Sequence, residues 1–186
     1  MSGRLFLVSE PVSWLLLAYR VPSEPSRLRA TVWRRLKTLG AIYLQNSVAA
    51  LPQEADAERA LRTLRAEIAD MGGTAQLLRA DALVGGADLV SAYNTARNEE
   101  YAEIIARCAD FLAEIDQETA QQHFTYGELE ENDEDLTKLR GWFDKVAARD
   151  RLNATDRSAA ENALTDCGKA LEVFTEAVYA ADKDGT

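Results

Sequence analysis

The sequence predicts an α+β protein in two parts, a module of mixed strands and helices followed by a helical module. Three observations support this. Short apolar runs alternate with amphipathic segments over residues 13–80, and apolar residues recur at helical spacing through most of residues 88–181. Between them stands the pair Gly85-Gly86, a typical boundary signal. We therefore expect one domain at residues 1–86 and another at residues 87–186.

The first module is expected to contain four strands and two helices. The expected elements are a strand at 13–21, a helix from Pro25 and Ser26 to Gly40, two strands within 41–51 that turn near Asn46 and Ser47, a helix at 53–71 and a strand at 74–80. This βαββαβ order is typical of the ferredoxin-like fold, in which both helices pack on one face of an antiparallel sheet.

The second module is expected to be an antiparallel helical module. Three amphipathic helices are predicted at about 88–120, 133–149 and 156–181, with a break at 123–127. Cys108 and Cys167 fall on their apolar stripes. Two cysteines so far apart are too few for a disulfide framework or a zinc site, so we expect reduced core thiols.

The charge of the chain is unevenly distributed. The net charge is −10 over 186 residues, which argues against nucleic-acid binding by the whole surface. Residues 1–52 nevertheless carry a net charge of +5 and the remainder carries −15. The apolar run at residues 14–19 is too short for a membrane span or a secretory signal. We expect a cytoplasmic protein with no membrane contact.

The predicted helix at residues 27–39 has five cations and no acid. They are Arg27, Arg29, Arg34, Arg35 and Lys37. At 100° per residue, most of them lie away from the apolar face that Leu28, Val32, Leu36 and Leu39 form. An ordinary solvated helix face is one interpretation, although such faces usually mix charges of both signs. The other is a contact with a phosphate backbone or an acidic partner, which makes these five residues the candidate nucleic-acid-binding set.

A second candidate site interrupts the apolar stripe of the first long helix. Arg97 lies four residues after Tyr93 and four before Tyr101. A buried arginine needs a partner, and Glu100 at i+3 would supply a structural ion pair. The alternative is an anion-binding site, in which Arg97 and the two tyrosine hydroxyls hold an oxyanion such as chromate.

The sequence proposes no reaction. The acidic run at residues 128–135 lacks the glycine and spacing of a calcium loop and is expected to be solvated ahead of a helix. His123, the only histidine, has no nucleophile at a recognisable spacing. No phosphate-cradling loop or cofactor fingerprint is present. We therefore expect a protein that is not an enzyme and that has no cofactor and no metal.

Three segments resemble the N-terminal region of the chromate-resistance regulator family, the ChrB type. They are WLLLAYRVPSEPSRLRATVWRRLKTLGAIYLQNSVAALP at Trp14–Pro52, the segment with YNTARNEEYAEIIARC at Ala92–Leu112, and ELEENDEDLTKLRGW at Glu128–Trp142. A more distant resemblance is to the ferredoxin-like module of CRISPR endoribonucleases and phenylacetate-pathway repressors. Those nucleases place a metal-binding aspartate at the end of their first strand, where this chain has Tyr19-Arg20-Val21.

The resemblance implies a DNA-binding regulatory module that controls expression of a chromate-efflux operon. Full-length members continue into a further C-terminal domain connected with chromate sensing, and we expect the sequence up to Thr186 to correspond to the region before that domain. We expect a homodimer formed through sheet edges, with operator DNA as the partner and an oxyanion such as chromate as the effector. The alternative is a protein-interaction module whose basic helix docks on an acidic partner.

Overall fold

A computed structural model describes residues 11–24 and 26–184. In chain order the elements are β1 (Ser13–Arg20), α1 (Arg27–Leu39), β2 (Ile42–Gln45), β3 (Val48–Pro52), α2 (Ala55–Asp70), β4 (Thr74–Asp81), α3 (Gly86–Gln121), α4 (Tyr126–Ala147) and α5 (Arg157–Asp184). The predicted α+β class is confirmed, and most predicted limits agree with these to within two residues. Pro25, part of the predicted start signal of α1, lies outside the described residues.

The four strands form one antiparallel sheet in the order β2-β3-β1-β4. Strand β1 is central, with Leu16 opposite Ala50 of β3 and Leu78 of β4. Alternation along β1 buries Leu15 and Leu17 together, because side chains two residues apart share one face of a strand. The turn between β2 and β3 lies at Asn46 and Ser47, as predicted.

The two helices within the βαββαβ segment are amphipathic and contact each other. Helix α1 buries Val32 and Leu36, while α2 buries Ala57, Leu61, Leu64 and Ile68. Helix α1 ends at Gly40, whose φ of 80° is a left-handed conformation that a side chain would strain. The Gly40 N–H donates to the carbonyl of Lys37 at 3.0 Å, and the chain then enters β2.

The described residues divide into two compact units, one up to Tyr93 and one from Asn94. This division falls inside helix α3, while the domain boundary expected from the glycine pair lies at residue 86. In the first unit Tyr93 is buried and packs edge-on against Trp14, with 6.0 Å between ring centroids. The expected assignment of residues 1–86 and 87–186 to separate domains stays a prediction.

The second unit has a core drawn from α3, α4 and α5. The members of this core include Tyr101, Ile104, Phe111, Leu136, Leu171 and Phe174. Cys108 and Cys167 are free and buried in it, as predicted. None of the described helices is both long enough and apolar enough to span a membrane.

The predicted start of α4 at residue 133 is wrong, because the helix begins at Tyr126. Thr125 is the N-cap, and its hydroxyl accepts a hydrogen bond from the Glu128 N–H at 3.2 Å. The acidic run at 128–135 therefore lies within the helix rather than ahead of it. Its first acids are favoured there because the N-terminal end of a helix dipole is positive.

Candidate nucleic-acid interface

Helix α1 carries the basic surface that the sequence predicted. All five cations, Arg27, Arg29, Arg34, Arg35 and Lys37, are exposed. The opposite side of the helix is fixed by the burial of Val32 and Leu36 in the core of the first unit. The amphipathic pattern of the sequence is thus what keeps these cations at the surface.

One of the five cations is neutralised within the first unit. The Arg35 guanidinium forms a two-pronged ion pair with the Glu67 carboxylate of α2, with Nε donating to Oε2 at 3.2 Å and Nη2 donating to Oε1. This hydrogen-bonded carboxylate raises the pKa of Arg35. A bidentate pair fixes both side chains, so the Arg35 guanidinium is already bound to a carboxylate at the surface of α1.

The other four cations differ from Arg35. Among residues 11–24 and 26–184, no carboxylate makes an ion pair with Arg27, Arg29, Arg34 or Lys37. The Lys37 ammonium lies over the Trp33 ring, 5.8 Å from its centroid, and Trp33 is 49% exposed. We call Arg27, Arg29, Arg34 and Lys37 the basic face of α1. Like charges on one helix repel each other, so this face favours an anion in solution.

A cleft of about 590 Å³ adjoins this face. Its walls come from the end of β1, from α1, from β2 and from the turn that follows β2. The principal lining residues are Tyr19, Arg20, Arg29, Trp33, Tyr43 and Asn46. The hydroxyls of Tyr19 and Tyr43 are hydrogen-bonded at 3.0 Å. Burial, and secondarily the Tyr19 hydroxyl, raises the pKa of Tyr43.

The end of β1 carries a cation and not an acid. Strand β1 ends at Arg20, which is exposed. Within the described part of the chain, no group of three histidine, cysteine or acidic side chains is placed to hold a metal ion. The chemistry available at this strand end is that of a cation and a phenol, which suits anion binding.

The predicted ion pair of Arg97 is confirmed. Arg97 is 3% exposed, and its Nε lies 2.8 Å from Oε2 of Glu100. Glu100 in turn pairs with Arg149, whose Nε donates to Oε2 at 3.2 Å. This makes a partly buried cluster of two cations around one carboxylate, which explains how an arginine is accommodated in an apolar stripe.

The tyrosines of the second candidate site are also buried. Tyr101 donates its hydroxyl to Oδ2 of Asp150 at 3.1 Å, and Asp150 also accepts the Ala154 N–H at 3.0 Å. Burial, followed by the Asp150 carboxylate, raises the pKa of Tyr101. Tyr93 belongs to the first unit. Anion binding by Arg97, Tyr93 and Tyr101 stays a prediction. An oxyanion there would compete with Glu100 for Arg97 and with Asp150 for the Tyr101 hydroxyl.

Comparison with known proteins agrees with the segments quoted above. The family model described as "Protein ChrB, N-terminal" matches residues 29–185. The chain belongs to this family. Membership of the ChrB N-terminal family implies a context of chromate-resistance regulation. Searches of curated proteins and of solved structures gave no match.

The ChrB match includes α1 from Arg29 onward and the second unit up to residue 185. Sequence reasoning identified the cations of α1 but missed the cleft beside them. In the sequence, Tyr19 and Arg20 indicate only a strand end without a carboxylate. The signal available in the sequence was Tyr43, a polar aromatic residue three positions before the predicted turn.

Proposed function

We propose that this chain is a non-catalytic DNA-binding regulatory module of the chromate-resistance type, which acts in the cytoplasm on the expression of a chromate-efflux operon. The observation that carries the proposal is the basic face of α1. Its four exposed cations lack carboxylate partners among the described residues, and they lie beside the half-exposed Trp33. Such a face neutralises phosphates and releases their counterions.

The fold supports this use of α1. We interpret the sheet order β2-β3-β1-β4 as ferredoxin-like, with helices presented to one side. In the described residues β2 and β4 are the edges of the sheet, and open edges need pairing or cover. We infer that edge pairing produces a homodimer. Dimerisation would double the basic face, which the acidic remainder of the chain otherwise opposes.

The salt dependence of binding gives the expected size of the effect. Each neutralised phosphate contributes about −0.9 to the slope of log K against log [salt]. Four contacts therefore predict a slope of about −3.6 for one protomer and about −7 for a dimer. Phosphate contacts position a protein without reading sequence, so random duplex should share most of this dependence.

A titration of duplex DNA at several salt concentrations tests the proposal. The probes are the control region of the chromate-efflux operon from the same genome and a random duplex of equal length. In the triple variant Arg27→Ala, Arg34→Ala, Lys37→Ala, each lost cation should reduce the slope by about one unit. Affinity for both duplexes should fall together while stability changes little, because these side chains are exposed.

The matched control removes the same charge elsewhere. Arg59, Arg107 and Lys169 are exposed cations outside α1, and their triple alanine variant should keep the wild-type slope. If both triple variants lose the same affinity, binding depends on overall charge and not on α1. If the wild type binds neither duplex at low salt, the DNA-binding proposal fails.

A second function is favoured by the Arg35–Glu67 pair, in which a cation of α1 already binds a protein carboxylate. Under this alternative the basic face docks on an acidic partner protein. A polyglutamate peptide would then bind the wild type at low salt, and its affinity for the α1 triple variant would be lower. Duplex DNA would have no effect on the binding of this peptide.

The absence of catalysis is part of the proposal and has its own test. Labelled single- and double-stranded RNA and DNA, incubated with magnesium or manganese, should stay intact. Cleavage that disappears when one acidic residue near β1 is mutated would overturn it.

A further inference from the structure

The cleft beside α1 is lined by two kinds of group, exposed aromatic side chains and exposed arginines. Trp33 is 49% exposed and Tyr43 is 38% exposed, so large aromatic surfaces face solvent. The cleft is also lined by Arg20 and Arg29, both of which are exposed. In the described chain neither arginine forms an ion pair with a carboxylate. The cleft therefore offers aromatic rings and uncompensated cations together.

These groups are held in place by the fold. Arg20 ends β1, and the preceding Tyr19 donates its backbone N–H to the Ser47 carbonyl at 2.9 Å. That bond joins the end of β1 to the turn after β2, which carries Asn46. The hydrogen bond between the Tyr19 and Tyr43 hydroxyls holds these two side chains of the cleft together. A preorganised wall lowers the entropic cost of binding a ligand.

The size and chemistry of the cleft restrict its ligand. A volume of about 590 Å³ is within the ordinary range for small-molecule sites and far exceeds what one tetrahedral oxyanion fills. A purely apolar ligand would leave Arg20 and Arg29 without an anion. A ligand that complements all of these lining residues has a negative group that pairs with the arginines, a flat ring that stacks on the aromatic side chains, and polar edges that form hydrogen bonds with the Asn46 amide.

We propose that this cleft binds a nucleotide, with its phosphate held by Arg20 and Arg29 and its base stacked on the aromatic side chains of Trp33 and Tyr43. Stacking on exposed aromatics beside a cationic groove is the usual mode of single-strand recognition. The same chemistry is present in a free nucleotide and in an unpaired nucleotide of a DNA strand. The inference goes beyond the duplex contact proposed for α1, because Arg29 is the one member of the basic face among the residues that line the cleft, and Arg27, Arg34 and Lys37 do not line it.

The test compares three probes on the full chain: fluorescein-labelled oligo-dT, an abasic strand of equal length, and free dTMP. Wild type should bind oligo-dT more tightly than the abasic strand, because only the former has bases to stack. Trp33→Ala should weaken oligo-dT binding about tenfold, in line with the stacking energy of a single base. Trp33→Phe should retain most of the binding. Arg20→Ala with Arg29→Ala should weaken binding of both strands.

Two control variants separate the cleft from general surface effects. Tyr179 is an exposed aromatic of the second unit, at 51%, and Arg59 is an exposed cation of α2. Tyr179→Ala and Arg59→Ala should both bind oligo-dT as the wild type does. Circular dichroism of each variant shows whether the fold is retained, and Trp33→Ala should retain it because this side chain is half exposed.

The outcomes distinguish this inference from the duplex proposal. Nucleotide binding that survives in Arg27→Ala, Arg34→Ala, Lys37→Ala supports the cleft even if no duplex is bound. Comparable affinity for dTMP and oligo-dT identifies a free nucleotide as the ligand, whereas much tighter oligo-dT binding identifies an unpaired strand. Equal binding of oligo-dT by the wild type and Trp33→Ala, or no binding of oligo-dT and dTMP, overturns the inference.

Discussion

Replacing Arg97 with alanine tests whether its buried ion pair stabilises the helical unit. The Arg97 side chain is 4% exposed and that of Glu100 is 20% exposed, with 2.8 Å between Nε and Oε2. Removing one member of a buried pair usually costs about 3–5 kcal/mol, because the remaining charge is left uncompensated. Glu100 keeps Arg149 as a partner. We therefore expect Arg97→Ala to lower the free energy of unfolding by about 2–4 kcal/mol.

Helix α3 supplies a matched control at the same spacing. Arg107 pairs with Asp110 at i+3, but the atoms are 3.6 Å apart and the side chains are 68% and 73% exposed. Arg107→Ala should change stability by less than about 0.5 kcal/mol. Arg97→Met separates charge from packing, since it keeps an apolar stem. If the loss comes from the missing charge beside Glu100 and not from packing, methionine should destabilise about as much as alanine.

Urea unfolding followed by far-UV circular dichroism measures these changes. Most of the helix belongs to α3, α4 and α5, so the signal reports mainly on the second unit. The midpoint and the slope should be analysed separately, because two units need not unfold in one step. A change within about 0.5 kcal/mol for Arg97→Ala, equal to that of Arg107→Ala, would refute a structural role for the pair.

Two further predictions concern a close backbone contact and a buried acid. A Cβ at Gly73 would lie 2.5 Å from the Arg20 carbonyl oxygen, so Gly73→Ala should destabilise the protein by about 1–3 kcal/mol in the urea assay. Gly141, in α4, has open space around it, so Gly141→Ala should stabilise the protein by up to about 1 kcal/mol. Burial raises the pKa of Glu118 above its ordinary value of 4.5. The folded state therefore binds the proton of this carboxyl group more tightly than the unfolded state does, and the protein loses stability as the pH rises above about 4.5. Glu118→Gln should therefore gain more stability over the wild type at pH 7 than at pH 4, and an equal difference at both pH values would contradict this.

The limits of most helices and strands were predictable because their signals are local. Apolar periodicity and terminal glycines fixed α1, α2 and β4 without knowledge of the packing. The start of α4 was missed although its signal was present, since Thr125 followed three residues later by Glu128 has the form of a capping box. The acidic run at 128–135 was interpreted from its charge, whereas the Thr125 cap indicates where the helix begins.

The cleft could not be predicted in the same way. Its residues come from three segments, at 19–23, 29–33 and 43–47, which are brought together only by strand pairing and by the packing of α1. No spacing rule connects Tyr19 to Tyr43, and the antiparallel sheet determines their contact. Local patterns locate a charged helix, but they do not say which residues of other elements share its surface.

The same limitation applies within α1 and leads to a prediction about adjacent residues. Five cations counted along the sequence would predict a salt slope of about −4.5 per protomer, but Arg35 is paired with Glu67, which leaves four and a slope of about −3.6. Arg34 and Arg35 are neighbours in sequence, are both exposed and differ in this pairing. Arg34→Ala should lower the slope by about one unit with little effect on stability. Arg35→Ala should leave the slope nearly unchanged and change the stability only slightly, because solvent screens an exposed ion pair. If the two variants lower the slope equally, Glu67 releases Arg35 to the phosphates, and the pair does not limit the DNA-binding surface.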